Sequence, residues 1–174
     1  LSELRLPRAL LASMVGATLA ISGAALQGLL RNPLASPDIL GISQTSALCA
    51  VLVLYFGFAQ AAWFLLPLAA IGGAAVAVLL MLALPYRYRC IHSLILAGIA
   101  ISALAASFTA LALNFAPNPY ALQEIYYWML GSVANRSIDE VTLALPFMLT
   151  GVVLLLAARH FLDALSLGEA TANS

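Results

Sequence analysis

Lysine is missing altogether from this chain of 174 residues, and charge of either sign is scarce: seven Arg face seven acids, 8% of the residues in all. An average soluble domain carries roughly a quarter charged residues. Without Lys there is no GxxxxGK[ST] loop to hold phosphates, so the chain does not hydrolyse ATP through one. Schiff-base chemistry is excluded for the same reason. Zero net charge leaves no basic face for nucleic acid. The two cysteines, Cys49 and Cys90, stand far apart in no CxxC or metal-like spacing, and read as small apolar residues. What fills the sequence instead is apolar: 64% of residues, with a mean hydropathy of +1.04. Too little polar surface remains to cover a soluble globule, so the composition is that of an integral membrane protein.

The few charges map the organisation. The stretches 9–30, 39–86, 90–123 and 141–158 contain no Asp, Glu, Lys or Arg. Crossing a hydrocarbon core of ~30 Å takes about 20 helical residues. The long second stretch holds two spans, with the turn at Gly57-Phe58-Ala59-Gln60. The expected architecture is all-α, a polytopic transmembrane bundle forming one membrane domain over 1–174. Its five spans are expected near 8–30, 39–56, 61–84, 91–113 and 139–158. An odd count puts the two ends on opposite sides. Arg31, Arg87, Arg89 and Arg159 fall on one side, Arg5, Arg8 and Arg136 on the other. The larger group belongs inside, which leaves residue 1 outside and residue 174 cytoplasmic. No leader pattern precedes the first span and the chain opens on Leu, which reads as a piece of a longer protein.

Small residues recur every fourth position in three spans: Ala12, Gly16, Ala20, Ala24 and Gly28; Ala69, Gly73 and Ala77; Gly98, Ser102, Ala106 and Ala110. Such faces let helix backbones approach closely in lipid, and a second copy of the chain is one surface they could meet. No ionisable side chain lies mid-span, against the habit of ion-coupled transporters and voltage sensors. The polar residues present, among them Gln27, Ser43, Gln44, Thr45, Ser46, Ser107 and Thr109, are neutral hydrogen-bonders that either bond locally or line a wet path. Catalysis finds no support. His92 and His160 fall at span ends, no HExxH occurs, and Gly41-Ile42-Ser43 continues with Gln44 rather than Gly. No catalytic, metal or cofactor residues are assigned.

The loops are more distinctive. In the segment 31–38, Ser36 is placed as an N-cap, Pro37 at the first helical position and Asp38 on the positive end of the next dipole. The segment 120–133, with Tyr126-Tyr127-Trp128, has the amphipathic aromatics of a short helix at the membrane surface.

Together these motifs resemble the FecCD-type permeases, membrane subunits of bacterial ABC importers for iron-siderophores, haem and vitamin B12. The resemblance is carried by Arg5-Leu6-Pro7-Arg8, by Ser-Gly-Ala-Ala-Leu-Gln-Gly at 22–28, by Arg31-Asn32-Pro33-Leu34-Ala35-Ser36-Pro37 and by Leu40-Gly41-Ile42-Ser43. It continues through Leu-Ile-Leu-Ala-Gly-Ile-Ala at 94–100, Tyr127-Trp128-Met129-Leu130-Gly131-Ser132 and Leu-Ser-Leu-Gly-Glu-Ala at 165–170. Family members have ten spans, and this chain corresponds to their second through sixth. The resemblance implies a bacterial inner-membrane permease that is not itself an enzyme. It implies a separate ATP-binding cassette subunit, a periplasmic or lipid-anchored binding protein, and a second permease copy or paralogue, all in a lipid bilayer. Arg5 and Arg8 fall where a binding protein docks. Arg31, Asn32, Pro33, Leu34 and Gly41 make up the family loop. Gly98, Ser102, Ser107 and Thr109 are the candidates for the translocation path, and 87–93 lies near the inner gate. Leu167, Gly168, Glu169 and Ala170 begin the segment that couples to the ATPase. A secondary transporter or channel subunit, or a non-functional membrane fragment, are the alternative readings of the residues alone.

Overall fold

The computed structural model describes residues 2–83, 91–134 and 136–167, and every regular element in them is helical. In chain order these are α1 (Ser2–Leu30), a 3-10 turn (Pro37–Leu40), α2 (Ile42–Tyr55), a second 3-10 turn (Phe58–Gln60), α3 (Leu65–Leu82), α4 (Ile91–Asn114), α5 (Pro119–Leu130), α6 (Ile138–Ala157) and α7 (Arg159–Leu167). Among the described residues, four segments are long and apolar enough to cross a membrane: Arg5–Leu30, Leu65–Leu82, His92–Asn114 and Ile138–Ala157. The expected span 39–56 takes a different form. Its α-helix has 14 residues, about 21 Å of rise, and the preceding 3-10 turn adds about 8 Å. The reason is Gly41, which sits between them with φ 74° and caps α2 without a side-chain hydrogen bond. Pro37 does start a helical turn with Asp38 in it, as its position suggests, but the turn is 3-10 and stops at Leu40.

Two compact units divide the chain: residues 37–131, and residues 1–36 together with 132–174. In the contiguous unit, α2 packs on α3 and α4, and α5 rests on α2. Its core is Val51, Leu54, Ala112 and Ile125, with Tyr55, Leu66 and Trp128 packed around them. Gly73 brings α3 against α2: a Cβ there would stand 2.6 Å from the Thr45 carbonyl oxygen and 2.9 Å from Cys49 Sγ. The α5 helix begins with Asn118, whose side chain accepts from the Ala121 amide at 2.8 Å, followed by Pro119 in the first turn. Of the three aromatics read as interfacial, Tyr126 and Tyr127 are exposed, whereas Trp128 packs against the core.

In the other unit, α1 packs against α6 and α7. The N-terminus of α6 carries a capping box. The Ser137 side chain accepts from the Asp139 amide, Glu140 reaches back to the Ser137 amide, and Arg136 pairs with Glu140 at 3.5 Å. At the far end the helix stops at Ala158, and α7 begins one residue later.

The small-residue faces fare differently. On α3, Gly73 and Ala77 are buried. On α4 the buried positions are Gly98, Ala105, Thr109 and Ala112, while Ala106 and Ala110 are exposed. Each step of four residues advances a helix by about 400°, so a strict fourfold repeat drifts ~40° per step off a straight face. On α1, Ala12, Gly16, Ala20 and Ala24 are exposed, and a Cβ built at Gly16, Gly23 or Gly28 would meet nothing within 4 Å.

Candidate functional site

Arg5 and Arg8 are three residues apart in the first turns of α1, which places them as neighbours on the helix surface. Both are exposed, Pro7 between them is buried, and neither has a carboxylate partner among the described residues. Two free guanidinium groups at one helix end make a surface that can accept a bidentate carboxylate.

The loop after α1 is fixed by its own backbone. Arg31 adopts φ 48°, the left-handed conformation a side chain enters at a cost. This ends α1 in a Schellman arrangement: the Asn32 amide donates to the Gln27 carbonyl at 3.2 Å and the Arg31 amide to Gly28 at 3.3 Å. Asn32 then organises the turn, its side-chain oxygen accepting from the Leu34 amide at 2.9 Å and its carbonyl from Ala35 at 3.0 Å. The Gln27 side-chain amide donates to the Ala35 carbonyl at 3.4 Å. Ala35 is thereby 3% exposed and Leu34 85% exposed. Gly41, the last member of the motif, belongs to the 37–131 unit, where it separates the 3-10 turn from α2.

The four path candidates on α4 do not share a face. Gly98 is buried against the Ile39–Leu40 backbone, where a Cβ would overlap the Ile39 carbonyl oxygen and stand 2.8 Å from Leu40 Cα. Thr109 is buried too, its hydroxyl donating to the Ala105 carbonyl at 2.9 Å. Ser102, half-buried, lies within about 40° of Gly98 around the helix. Ser107 lies about 180° away and is exposed, with its hydroxyl on the Ala103 carbonyl at 2.8 Å. Thr45 likewise bonds its own helix, at the Gly41 carbonyl, and no buried side-chain polar atom is left unsatisfied among the described residues. At the opposite end of the chain, Leu167 closes α7, while Gly168, Glu169 and Ala170 lie outside the described residues, as do residues 87–90 of the inner-gate segment.

The sequence reading missed two features. One is α7 as a helix distinct from α6. The other is the pairing of Gly41 with Gly98, both of which it had singled out in separate motifs. Two glycines in apolar runs 57 positions apart give no signal of meeting until the chain is folded.

A model of the FecCD transport family matches residues 1–174. The chain belongs to the FecCD transport family. Among curated relatives, the Fe(3+)-citrate import system permease YfmE of Bacillus subtilis (strain 168) is 38% identical over 99% of this chain and 51% of its own length. The Fe(3+) dicitrate transport system permease FecD of Escherichia coli (strain K12) is 37% identical over 100% of this chain and 54% of its own. The vitamin B12 import system permease BtuC of Salmonella paratyphi A (strain ATCC 9150 / SARB42) is 32% identical over 98% and 52%. The chain thus spans about half the length of the curated relatives it matches. Its fold is similar to that of a solved inward-facing ABC transporter assigned to the metal-chelate type, with a TM-score of 0.90 at 31% identity, covering 99% of this chain and 55% of the other. The family resemblance read from the sequence is thus shown over the whole chain.

Proposed function

We propose that the chain is the first half of the membrane-spanning permease subunit of a binding-protein-dependent ABC importer for an iron chelate or related compound. The observation that carries this is the whole-chain family match, seconded by a fold similarity that covers 99% of the chain. In this reading the protein is not an enzyme. It has no Lys for a phosphate-binding loop, and a separate ATP-binding cassette subunit supplies the energy. The bacterial inner membrane holds it with residue 1 outside and residue 174 in the cytoplasm. Arg5 and Arg8 receive surface carboxylates of the binding protein, and such rim charges act chiefly on encounter and orientation. A second permease copy faces the first. The exposed side of α4, with Ser107 on it, serves the path, while Gly98 and Thr109 hold the wall behind it. Movement of the ATPase enters through α7 and the residues after it, Gly168, Glu169 and Ala170, and passes on as a rigid-body shift.

The test is uptake by the full-length parent protein, expressed with its ATPase and binding protein in cells lacking other chelate importers. Labelled ferric chelate, haem and cobalamin are offered separately. Uptake of one of them that stops when the ATPase is inactivated supports the reading. Uptake of none overturns it.

A further inference from the structure

The first turns of α1 and α6 belong to one compact unit, and both are charged. On α6 the polar groups share the work unevenly. Ser137 caps the helix and Glu140 closes the box, taking the Ser137 amide and the Arg136 guanidinium. Asp139 adds only its backbone. Its amide donates to the Ser137 hydroxyl at 3.2 Å, and its carbonyl accepts from the Thr142 hydroxyl at 2.9 Å. The Asp139 carboxylate is exposed and has no ion-pair partner among the described residues. The cap is complete without it.

The level of Asp139 follows from packing inside the unit. Thr18, Leu19 and Ser22 of α1 line one cavity with Phe147, Met148 and Gly151 of α6. In the orientation proposed above, both helices enter from the outer side and run parallel. Stepping back from Thr18 to Arg8, or from Met148 to Asp139, covers about 14–15 Å of helix. Arg8 and Asp139 thus stand at one level on neighbouring helices, whose axes lie about 10 Å apart when packed. Arg136 and Glu140 satisfy each other. Among the described side chains at this end, the unpaired charges are the two guanidinium groups of α1 and the one carboxylate of α6.

From this we infer that Asp139 is a docking contact of opposite sign to Arg5 and Arg8, and that it receives a Lys or Arg of the binding protein. The inference rests on the importer reading above and adds to it a residue and a charge required of the partner. Two guanidinium groups three residues apart on one helix hold a partner at one place and leave it free to turn there. A carboxylate on the next helix sets the angle. A partner seated the wrong way round would bring its own carboxylates against Asp139, and like charges in contact reject that arrangement. The partner's face therefore carries acidic groups for α1 and, about one helix diameter to the side, a basic group for α6.

The full-length permease in nanodiscs is titrated with the binding protein encoded beside it. Asp139→Asn lowers affinity about threefold and Asp139→Lys about tenfold, and both losses shrink as salt rises. Asp139→Glu keeps the affinity. Each exposed Lys or Arg on the binding protein's docking face is then reversed to Glu in turn, and one reversal restores binding to the Asp139→Lys permease while weakening binding to the wild type. A carboxylate that served only the α6 dipole would gain nothing from a change on the partner. Wild-type affinity in both Asp139→Asn and Asp139→Lys, or rescue by none of the reversals, overturns the assignment. So does a loss that follows the charge of the nanodisc lipid, which would give Asp139 to the headgroups. No binding by the wild-type permease overturns the importer reading and this assignment with it, whereas binding indifferent to Asp139 overturns this assignment alone.

Discussion

Gly41 and Gly98 face each other with no side chain between them: a Cβ on Gly41 would stand 2.8 Å from the Gly98 carbonyl oxygen. The reverse approach is as close, for Gly98 presses on the Ile39–Leu40 backbone. Gly41 also carries φ 74°, so it is held by conformation and by space at once. Gly98→Ala is therefore expected to destabilise the chain by ~1–3 kcal/mol, the usual cost of forcing extra volume into a packed contact. Gly16→Ala, on the open face of α1, is expected to be neutral or to stabilise by up to ~1 kcal/mol through helix propensity. Denaturant titration of both variants in the same detergent checks this. Equal effects would contradict it.

Arg31→Gly separates conformation from function at the loop. Glycine enters the left-handed region freely, so the substitution is expected to stabilise the α1 terminus by about 1 kcal/mol. Uptake by the full-length permease should fall nonetheless, because the guanidinium is lost from a turn that presents Leu34. Unfolding midpoints and uptake, measured on the same variant, should move in opposite directions. A variant with unchanged transport would make Arg31 an ordinary helix ending.

Reversing both guanidinium charges at the start of α1 should weaken binding-protein docking. Arg5→Glu with Arg8→Glu is expected to cost about 1 kcal/mol at each exposed position, tenfold or more in affinity together. Membrane insertion should be unaffected, and the wild-type affinity should fall as salt rises. Affinity measured on full-length permease in nanodiscs checks all three. An unchanged double variant removes Arg5 and Arg8 from the docking rim.

On α4, Ser107 and Thr109 should behave oppositely. Thr109→Val keeps the shape and removes one intrahelical hydrogen bond, so it should cost under ~1.5 kcal/mol and leave uptake intact. Ser107→Phe adds bulk to an exposed position and should block uptake without lowering stability. If Thr109→Val stops transport and Ser107→Phe does not, the path follows the other face.

The helices were legible because apolar runs ended at strong punctuation. Gly57 turned the chain between α2 and α3 as read, and the surface segment expected from residue 120 is α5, which starts at Pro119. That α7 begins immediately after Ala158 was hidden, since neither Gly nor Pro marks the junction. Which side of α4 is buried was hidden for another reason. Its residues are apolar almost all round, and periodicity informs only where composition alternates. The cavity between the end of α2 and α5 was not legible, because Gln60 and Glu124 line it from elements 64 positions apart. The carriers of the family resemblance were legible as motifs long before their geometry was known.

The division of the chain into a contiguous unit and an interrupted one has a consequence for synthesis. Residues 37–131 contain all the partners their helices use within that unit, so they can consolidate as they emerge. In its own unit α1 must wait for α6, about a hundred residues later, which at ~5–20 residues per second is roughly 5–20 s. During that interval α1 lacks the partner it uses in its own unit, and its 26-residue span is long enough to stay in the bilayer meanwhile. A helix made before the 37–131 unit thus finds its neighbour only after that unit is complete, and a variant that delays α6 insertion would lengthen the wait.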